Sequence, residues 1–165
     1  MNKKESYNWK RTEKVMEEYM EQLLKIAYSH TGNINDAEDI VQEVFIAFAG
    51  KGPNEDRFIK PWLIRVTINK SINLVKSAYR KKRVDLEETK FDKGDEKQNI
   101  TLDEELKQIP LKYRAPLYLY YYEGYSVEEI AEIMKKKKSS VYTLLDRGRS
   151  KLKEVIQEGE NESGL

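Results

Sequence analysis

Few side chains in this sequence could do covalent chemistry. His30 is the only histidine and cysteine is absent. Disulfides, thiolate metal sites and cysteine nucleophiles are therefore excluded. Neither the common zinc centres nor a Ser-His-Asp arrangement can be assembled within one chain. No metal and no cofactor are expected, and most familiar enzyme chemistries are excluded. What remains is charge. Arg57 to Arg83 carries nine basic residues and no acidic one, 85–105 carries nine acidic residues against three lysines, and Lys135 to Lys153 carries eight basic residues against Asp146 alone. The chain as a whole nets only +1. Two basic blocks parted by an acidic one suit two contacts with a polyanion, joined by a segment that avoids it. A solvated helix face explains either block alone about as well, but it explains the alternation poorly.

The segment EGYSVEEIAEIMKKKKSSVYTLLDRGRSKL (123–152) says most about what that polyanion is. Ser126 and Glu129 form the S-x-x-E capping box that opens a helix. Val127, Ile130, Ala131 and Met134 follow at the spacing of one buried face. After a short polar turn, Val141, Leu144, Leu145, Gly148 and Leu152 repeat it, and Gly148 on that stripe implies two helices in close approach. The opposite face holds Ser139, Thr143, Asp146, Arg147 and Ser150, with Tyr142 at its edge. A second helix of this kind can enter a major groove, its short polar groups reaching base edges while cations hold phosphates. A helical hairpin with a plain polar face is the weaker alternative, given the density of lysine and arginine.

Helical periodicity dominates the rest. Residues 12–30 place Val15, Met16, Tyr19, Leu23, Ile26 and Ala27 on one stripe, ended by Gly32 and Asn33. Asp36 is expected to open a second helix with Ile40, Val41, Val44, Phe45 and Phe48 on one side. Glycine, proline and asparagine mark 50–57 as a loop. A long helix follows, with Pro61 near its first turn and Trp62, Val66, Ile72, Val75 and Tyr79 among its apolar positions. Residues 84–100 lack an apolar face and read as a linker. A helix near 101–109 stops at Pro110, and another spans about 111–123. The fold expected is all-α, with two small helical domains joined by a flexible acidic linker and a helix-turn-helix in the second. The domains are 8–83 and 101–158, the linker is 84–100, and 159–165 is a tail. No apolar run of membrane-spanning length occurs, and the opening residues lack the apolar core of a secretory signal, so a cytoplasmic chain without membrane insertion is expected. The sequons at Asn69, Asn99 and Asn161 are then chance. GKG at 50–52 lacks the setting of a phosphate loop, and His30 is an ordinary residue at a helix end.

ELKQIPLKYRAPLYLYYYEGYSVEEIAEIM with SSVYTLLDRGRSKL resembles the promoter-reading C-terminal domain of bacterial extracytoplasmic-function (ECF) sigma factors. Response-regulator output domains share the helix-turn-helix pattern, so the first half decides. DAEDIVQEVFIAF (36–48) and PWLIRVTINKSINLVKSAYRKKR (61–83) are similar to the N-terminal sigma domain that grips polymerase and opens the promoter. Together the two matches span most of the chain in the expected order.

The resemblance implies a set of partners and sites. Core RNA polymerase would be met at its beta-prime coiled coil and at its beta flap, and promoter DNA and an anti-sigma factor complete the partners. The polymerase-binding D-x-x-Q-E residues would be Asp39, Gln42 and Glu43, which share one helix face suited to a basic partner. Asn69 would help hold a base flipped from the minus-ten strand, since an amide can both donate to and accept from an unstacked base edge. Lys76, Arg80, Lys81 and Arg83 would follow phosphates, the 50–57 loop would wall the base pocket, and Trp62 would belong to the core. At the minus-thirty-five element, Lys137 and Lys138 would clamp phosphates, while Ser139, Ser140, Tyr142, Thr143 and Arg147 face the groove. The family usually places a small or turn-forming residue near Lys135 and an apolar one near Lys136. Lysine at both implies a looser turn, with Lys136 packing only its methylene stem. Fully extended, 84–100 reaches ~56–61 Å, roughly 16–18 base pairs of duplex. The expected function is promoter selection and opening for core polymerase. The rival reading is a stand-alone helix-turn-helix regulator that binds duplex DNA without polymerase.

Overall fold

Asn8 begins the first helix by accepting a hydrogen bond from the Arg11 N–H through its side chain. The computed structural model describes residues 7–84 and 104–163, and every regular element among them is a helix. The chain divides into two compact units, Met1–Gln98 and Asn99–Leu165. No helix among the described residues is long and apolar enough to cross a membrane.

The first unit packs α1 (Trp9–Thr31), α2 (Ile34–Lys51) and α3 (Asp56–Val84) against one another. Gly32 ends α1 in the left-handed conformation at φ 65°, which costs glycine little. Asn33 then caps α2 by accepting from the Asp36 N–H at 3.0 Å. The second helix therefore opens at Ile34 rather than at Asp36, which sits in its first turn where a carboxylate favours the helix dipole. Leu23, Ile26 and Ala27 of α1 meet Ile40, Val41, Val44, Phe45 and Phe48 of α2 and Leu63 and Ile64 of α3 in the core. Thr12, Ser29, Thr67 and Ser71 are buried among them, and each hydroxyl donates to a carbonyl three or four residues back at 2.6–2.8 Å. Burial of these hydroxyls leaves no unmet donor. His30 is also buried at the end of α1, its Nδ1 2.9 Å from the Ile26 carbonyl.

The loop expected over 50–57 is shorter than that. Gly50 and Lys51 continue α2, and α3 starts at Asp56, so only 52–55 connect them. Gly52 is needed there, because a Cβ would fall 2.3 Å from the Phe48 ring. Arg11 lies over that same ring and donates to the Pro53 carbonyl, tying α1 to the connection. Pro61 lies in the second turn of α3, not its first. The core face of α3 is Ile59, Leu63, Ile64, Thr67, Ile68 and Ser71. Trp62, Val66, Ile72 and Val75 are half-buried flanks, and Tyr79 is exposed. Trp62 still joins the packing, meeting Phe48 edge to face at 5.9 Å.

The second unit contains α4 (Glu104–Lys107), α5 (Leu111–Tyr121), α6 (Val127–Met134) and α7 (Lys138–Ser163). Arg114 donates to the carbonyls of Lys107 and Ile109 at 2.7 and 2.9 Å, closing the end of α4 over α5. α7 runs through Ser163, past the expected boundary at 158. The segment read as an acidic linker lies almost wholly outside the described residues. α5 and α7 touch at Gly148, where an added Cβ would sit 3.0 and 3.1 Å from Leu117 carbons and 3.3 Å from the Tyr113 Cβ. Leu117 and Tyr113 are both buried and have little room to yield.

A Gly148→Val variant should destabilise the second unit by about 1–3 kcal/mol through overpacking. Both tryptophans, Trp9 and Trp62, lie in the first unit. Helix melting followed by circular dichroism should therefore shift to lower temperature while the tryptophan fluorescence transition stays in place. Coincident, unshifted transitions would show that the helices can separate at no cost.

Candidate functional site

Two surfaces carry the residues singled out by sequence. On α2, Asp39, Gln42 and Glu43 face away from the core, and all three are exposed. Their position follows from burial of Ile40, Val41, Val44 and Phe45 on the other side. Glu43 forms an ion pair with Lys70 of α3 at 3.4 Å, so one carboxylate of the group already faces a cation of the neighbouring helix. Asn69 is exposed beside Lys70. Lys76, Arg80 and Lys81 are exposed further along α3, and the side chain of Arg83 lies outside the described residues. No residue from Ile72 to Lys81 is buried, so α3 leaves its core after Ser71 and continues as a basic, solvated helix. The narrowed 52–55 connection is flanked by Arg57, which pairs with Glu55 at 3.0 Å and stacks on Phe58 at 4.5 Å.

The second surface is the α6–α7 pair. Ser126 and Glu129 complete both halves of the capping box: the Ser126 hydroxyl accepts from the Glu129 N–H at 3.1 Å, and the Glu129 carboxylate accepts from the Ser126 N–H at 3.2 Å. Val127, Ile130 and Ala131 are buried as the spacing implies, but Ile133 is buried where Met134 is only half so. The turn after Met134 is not loose. Lys135 adopts φ 52°, its N–H donates to the Glu132 carbonyl at 3.3 Å, and the Lys136 N–H donates to the Ala131 carbonyl at 2.9 Å. Both backbone donors are satisfied, at the cost of holding a side chain in the left-handed region. Lys136 is exposed.

Lys137, Lys138, Ser139, Ser140, Tyr142, Thr143 and Arg147 are all exposed along the turn and the first turns of α7. They form one continuous polar face, opposite Val141 and Leu145, which are fully buried. The Thr143 hydroxyl donates to the Ser139 carbonyl at 3.0 Å and keeps its acceptor capacity. Part of the positive charge here is already engaged. Lys138 pairs with Glu128 of α6 at 3.3 Å, and Glu128 has its carboxyl held below the ordinary value, first by its own backbone N–H and then by Lys138. Arg149 turns away from that polar face. Its Nε donates to the Tyr121 hydroxyl at 2.7 Å and its Nη1 to Asp146 at 3.1 Å, which raises its pKa, and it lies over the rings of Tyr120 and Tyr121. Lys151 is 3.7 Å from Glu154. Glu128 and Tyr121 did not stand out by sequence, because their partners lie on other helices and leave no periodic trace.

Comparison with known proteins places these two surfaces in one family. Residues 15–82 match sigma-70 region 2, and residues 100–152 match sigma-70, region 4. The chain is 26% identical to the ECF RNA polymerase sigma factor SigE of Mycolicibacterium smegmatis, over 92% of this chain and 63% of that one. It is 26% identical to the ECF RNA polymerase sigma factor SigW of Bacillus subtilis, over 87% and 88% of the two chains. The RNA polymerase sigma factor SigZ of the same organism is 29% identical, over 82% of each. Thus the chain spans under two thirds of the SigE relative but more than four fifths of the two Bacillus proteins. The fold is similar to that of the sigma factor RpoE from Bartonella quintana, solved with the anti-sigma factor NepR, at TM-score 0.68, 20% identity and coverage of 90% and 98%. It is also similar to CnrH, solved with the cytosolic domain of CnrY, at TM-score 0.67, 20% identity and coverage of 93% and 92%. The chain belongs to the sigma-70 family. Within it, the chain is an extracytoplasmic-function sigma factor.

The strained turn is open to a direct test. Lys135→Gly should raise the stability of the second unit by about 1 kcal/mol, because glycine adopts the left-handed conformation without a Cβ clash. The check is the circular dichroism melting temperature. A decrease would mean that the Lys135 side chain contributes more than its conformation costs.

Proposed function

We propose that this chain binds core RNA polymerase through the outward face of α2, and that it directs polymerase to promoters with α3 and with the α6–α7 helix-turn-helix. The single observation carrying this reading is the presence, in one chain and in order, of region 2 with an exposed Asp39–Gln42–Glu43 face and region 4 with an exposed groove-sized helix. Polymerase carries out phosphodiester chemistry, and the chain contributes binding energy that selects a site and exchanges base pairing for base capture. Asn69 takes the unstacked base of the minus-ten element, and Lys76, Arg80, Lys81 and Arg83 follow its phosphates. Lys137 and Lys138 hold the backbone of the minus-thirty-five element, while Ser139, Ser140, Tyr142, Thr143 and Arg147 lie along the base edges. The beta-prime coiled coil meets the α2 face and the beta flap meets the second unit. An anti-sigma factor completes the set of partners, supported by the NepR complex of the RpoE fold neighbour. The place of action is the cytoplasm, with polymerase. Domain limits of 8–83 and 101–158, joined across 84–100, fit this division of labour.

Asp39→Arg combined with Glu43→Arg should abolish co-purification with core polymerase and run-off transcription, since both would set like charges against a basic partner. Both positions are exposed, so helicity should be unchanged. Undiminished co-purification would remove the interface, and a palindromic footprint made by the chain without polymerase would favour a stand-alone regulator instead.

Glu128→Gln frees Lys138 from its carboxylate partner. Holoenzyme should then bind cognate and scrambled promoter fragments more tightly by a similar factor, with the salt slope little changed, because the phosphate no longer competes with a carboxylate for a contact it already makes. A gain on the cognate fragment alone would instead place Lys138 among the groups that read sequence.

A further inference from the structure

The outward face of α2 is polar for two turns and then stops being so. Ile46 stands one turn beyond Gln42 and Glu43 on the same stripe, and it is 53% exposed. It borders a depression of about 450 Å³ whose other walls include Tyr7, Ala47 and Gly50. The N-terminal segment builds one wall. The Tyr7 ring is seated against Gly50, where a Cβ would lie 3.0 Å from the Tyr7 Cε1, and it is braced from behind by stacking on Trp9 at 5.4 Å. A side chain at 50 would push Tyr7 away and open that wall. Glu43, ion-paired with Lys70, closes the depression at the end nearer Asp39, while Lys51 borders it elsewhere.

A single exposed isoleucine is ordinary. An isoleucine that lines an aromatic-walled depression, continuous with a charged recognition face, has the layout of a binding hot spot, in which an apolar anchor is ringed by polar groups that exclude water. We propose that this depression is a socket for one aliphatic side chain of the same basic polymerase helix that meets Asp39 and Glu43, a proposal that rests on the polymerase-binding reading of α2. Charge sets the register. Cations of the partner are drawn to the Asp39–Glu43 end, where Lys70 offsets part of the Glu43 charge, and repelled by Lys51, so the partner's apolar residue falls about one helical turn, ~5.4 Å, further along. The acidic residues then choose the partner and its direction, and the socket supplies affinity that salt does not screen.

The test compares full-length variants in equilibrium binding to core polymerase at low and high ionic strength. Ile46→Ser should weaken binding by roughly tenfold or more at both, as expected for loss of one buried aliphatic contact. Tyr7→Ala should weaken it in the same salt-insensitive manner, and Ile46→Leu should retain most of the affinity. The Asp39→Arg, Glu43→Arg pair should differ in kind, its loss changing strongly with salt. Circular dichroism confirms folding, and should Ile46→Ser fail to fold, Tyr7→Ala carries the same test. If Ile46→Ser and Tyr7→Ala bind within about twofold of the native chain while the charge reversal abolishes binding, the socket is wrong and the α2 reading stands. If the charge reversal also leaves binding intact, the α2 reading itself falls.

Discussion

Burial of Ile40, Val41, Val44 and Phe45 fixes the rotation of α2 about its own axis, and the outward Asp39–Gln42–Glu43 face of the first unit follows from it. A helix that places four large side chains in a three-helix core cannot turn by even one residue without exposing some of them. Asp39, Gln42 and Glu43 are outward for that reason alone. The abrupt reversal at Gly32 and Asn33 keeps α2 against α1, and the Arg11 contacts to Phe48 and Pro53 keep the far end of α2 in place. The surface is rigid because the core behind it is.

Periodicity made much of this legible. The faces of α1, α2, α6 and α7, the capping box at Ser126, and the close approach at Gly148 were all readable, since each depends on residues a fixed few positions apart. What was missed depends on other things. Thr67 and Ser71 serve the core of α3 because each hydroxyl is satisfied by its own helix, so polar residues stand where a hydropathy pattern looks for apolar ones. Gly50 continues α2, and the Tyr7 ring lies where its Cβ would be, a neighbour 43 residues away in sequence. Lys135 takes a left-handed conformation with nothing in its residue type to announce it, because two backbone hydrogen bonds across the turn require that geometry.

Charge shows the same distinction between count and availability. Both basic blocks are conspicuous in the sequence, yet Lys70, Lys138, Arg149 and Lys151 each face a carboxylate in the folded chain. Two of those pairs lie three residues apart on α7, and such exposed pairs stabilise a fold little. Their effect on recognition is larger, because a phosphate must compete with the carboxylate for the same cation. The candidate site was therefore visible in its location and less so in its working charge.

The unsupported end of α3 has a further meaning. From Ile72 to Lys81 the helix has no buried side chain to hold it, and Lys76 and Arg80 lie four apart, where like charges disfavour a helix by about 0.2–0.5 kcal/mol. Its order is inherited by propagation from the packed turns before it. A polyanion lying along this stretch would replace mutual repulsion with neutralisation and so strengthen the helix that binds it. The stability of those turns and the salt dependence of binding are therefore coupled through the same cations.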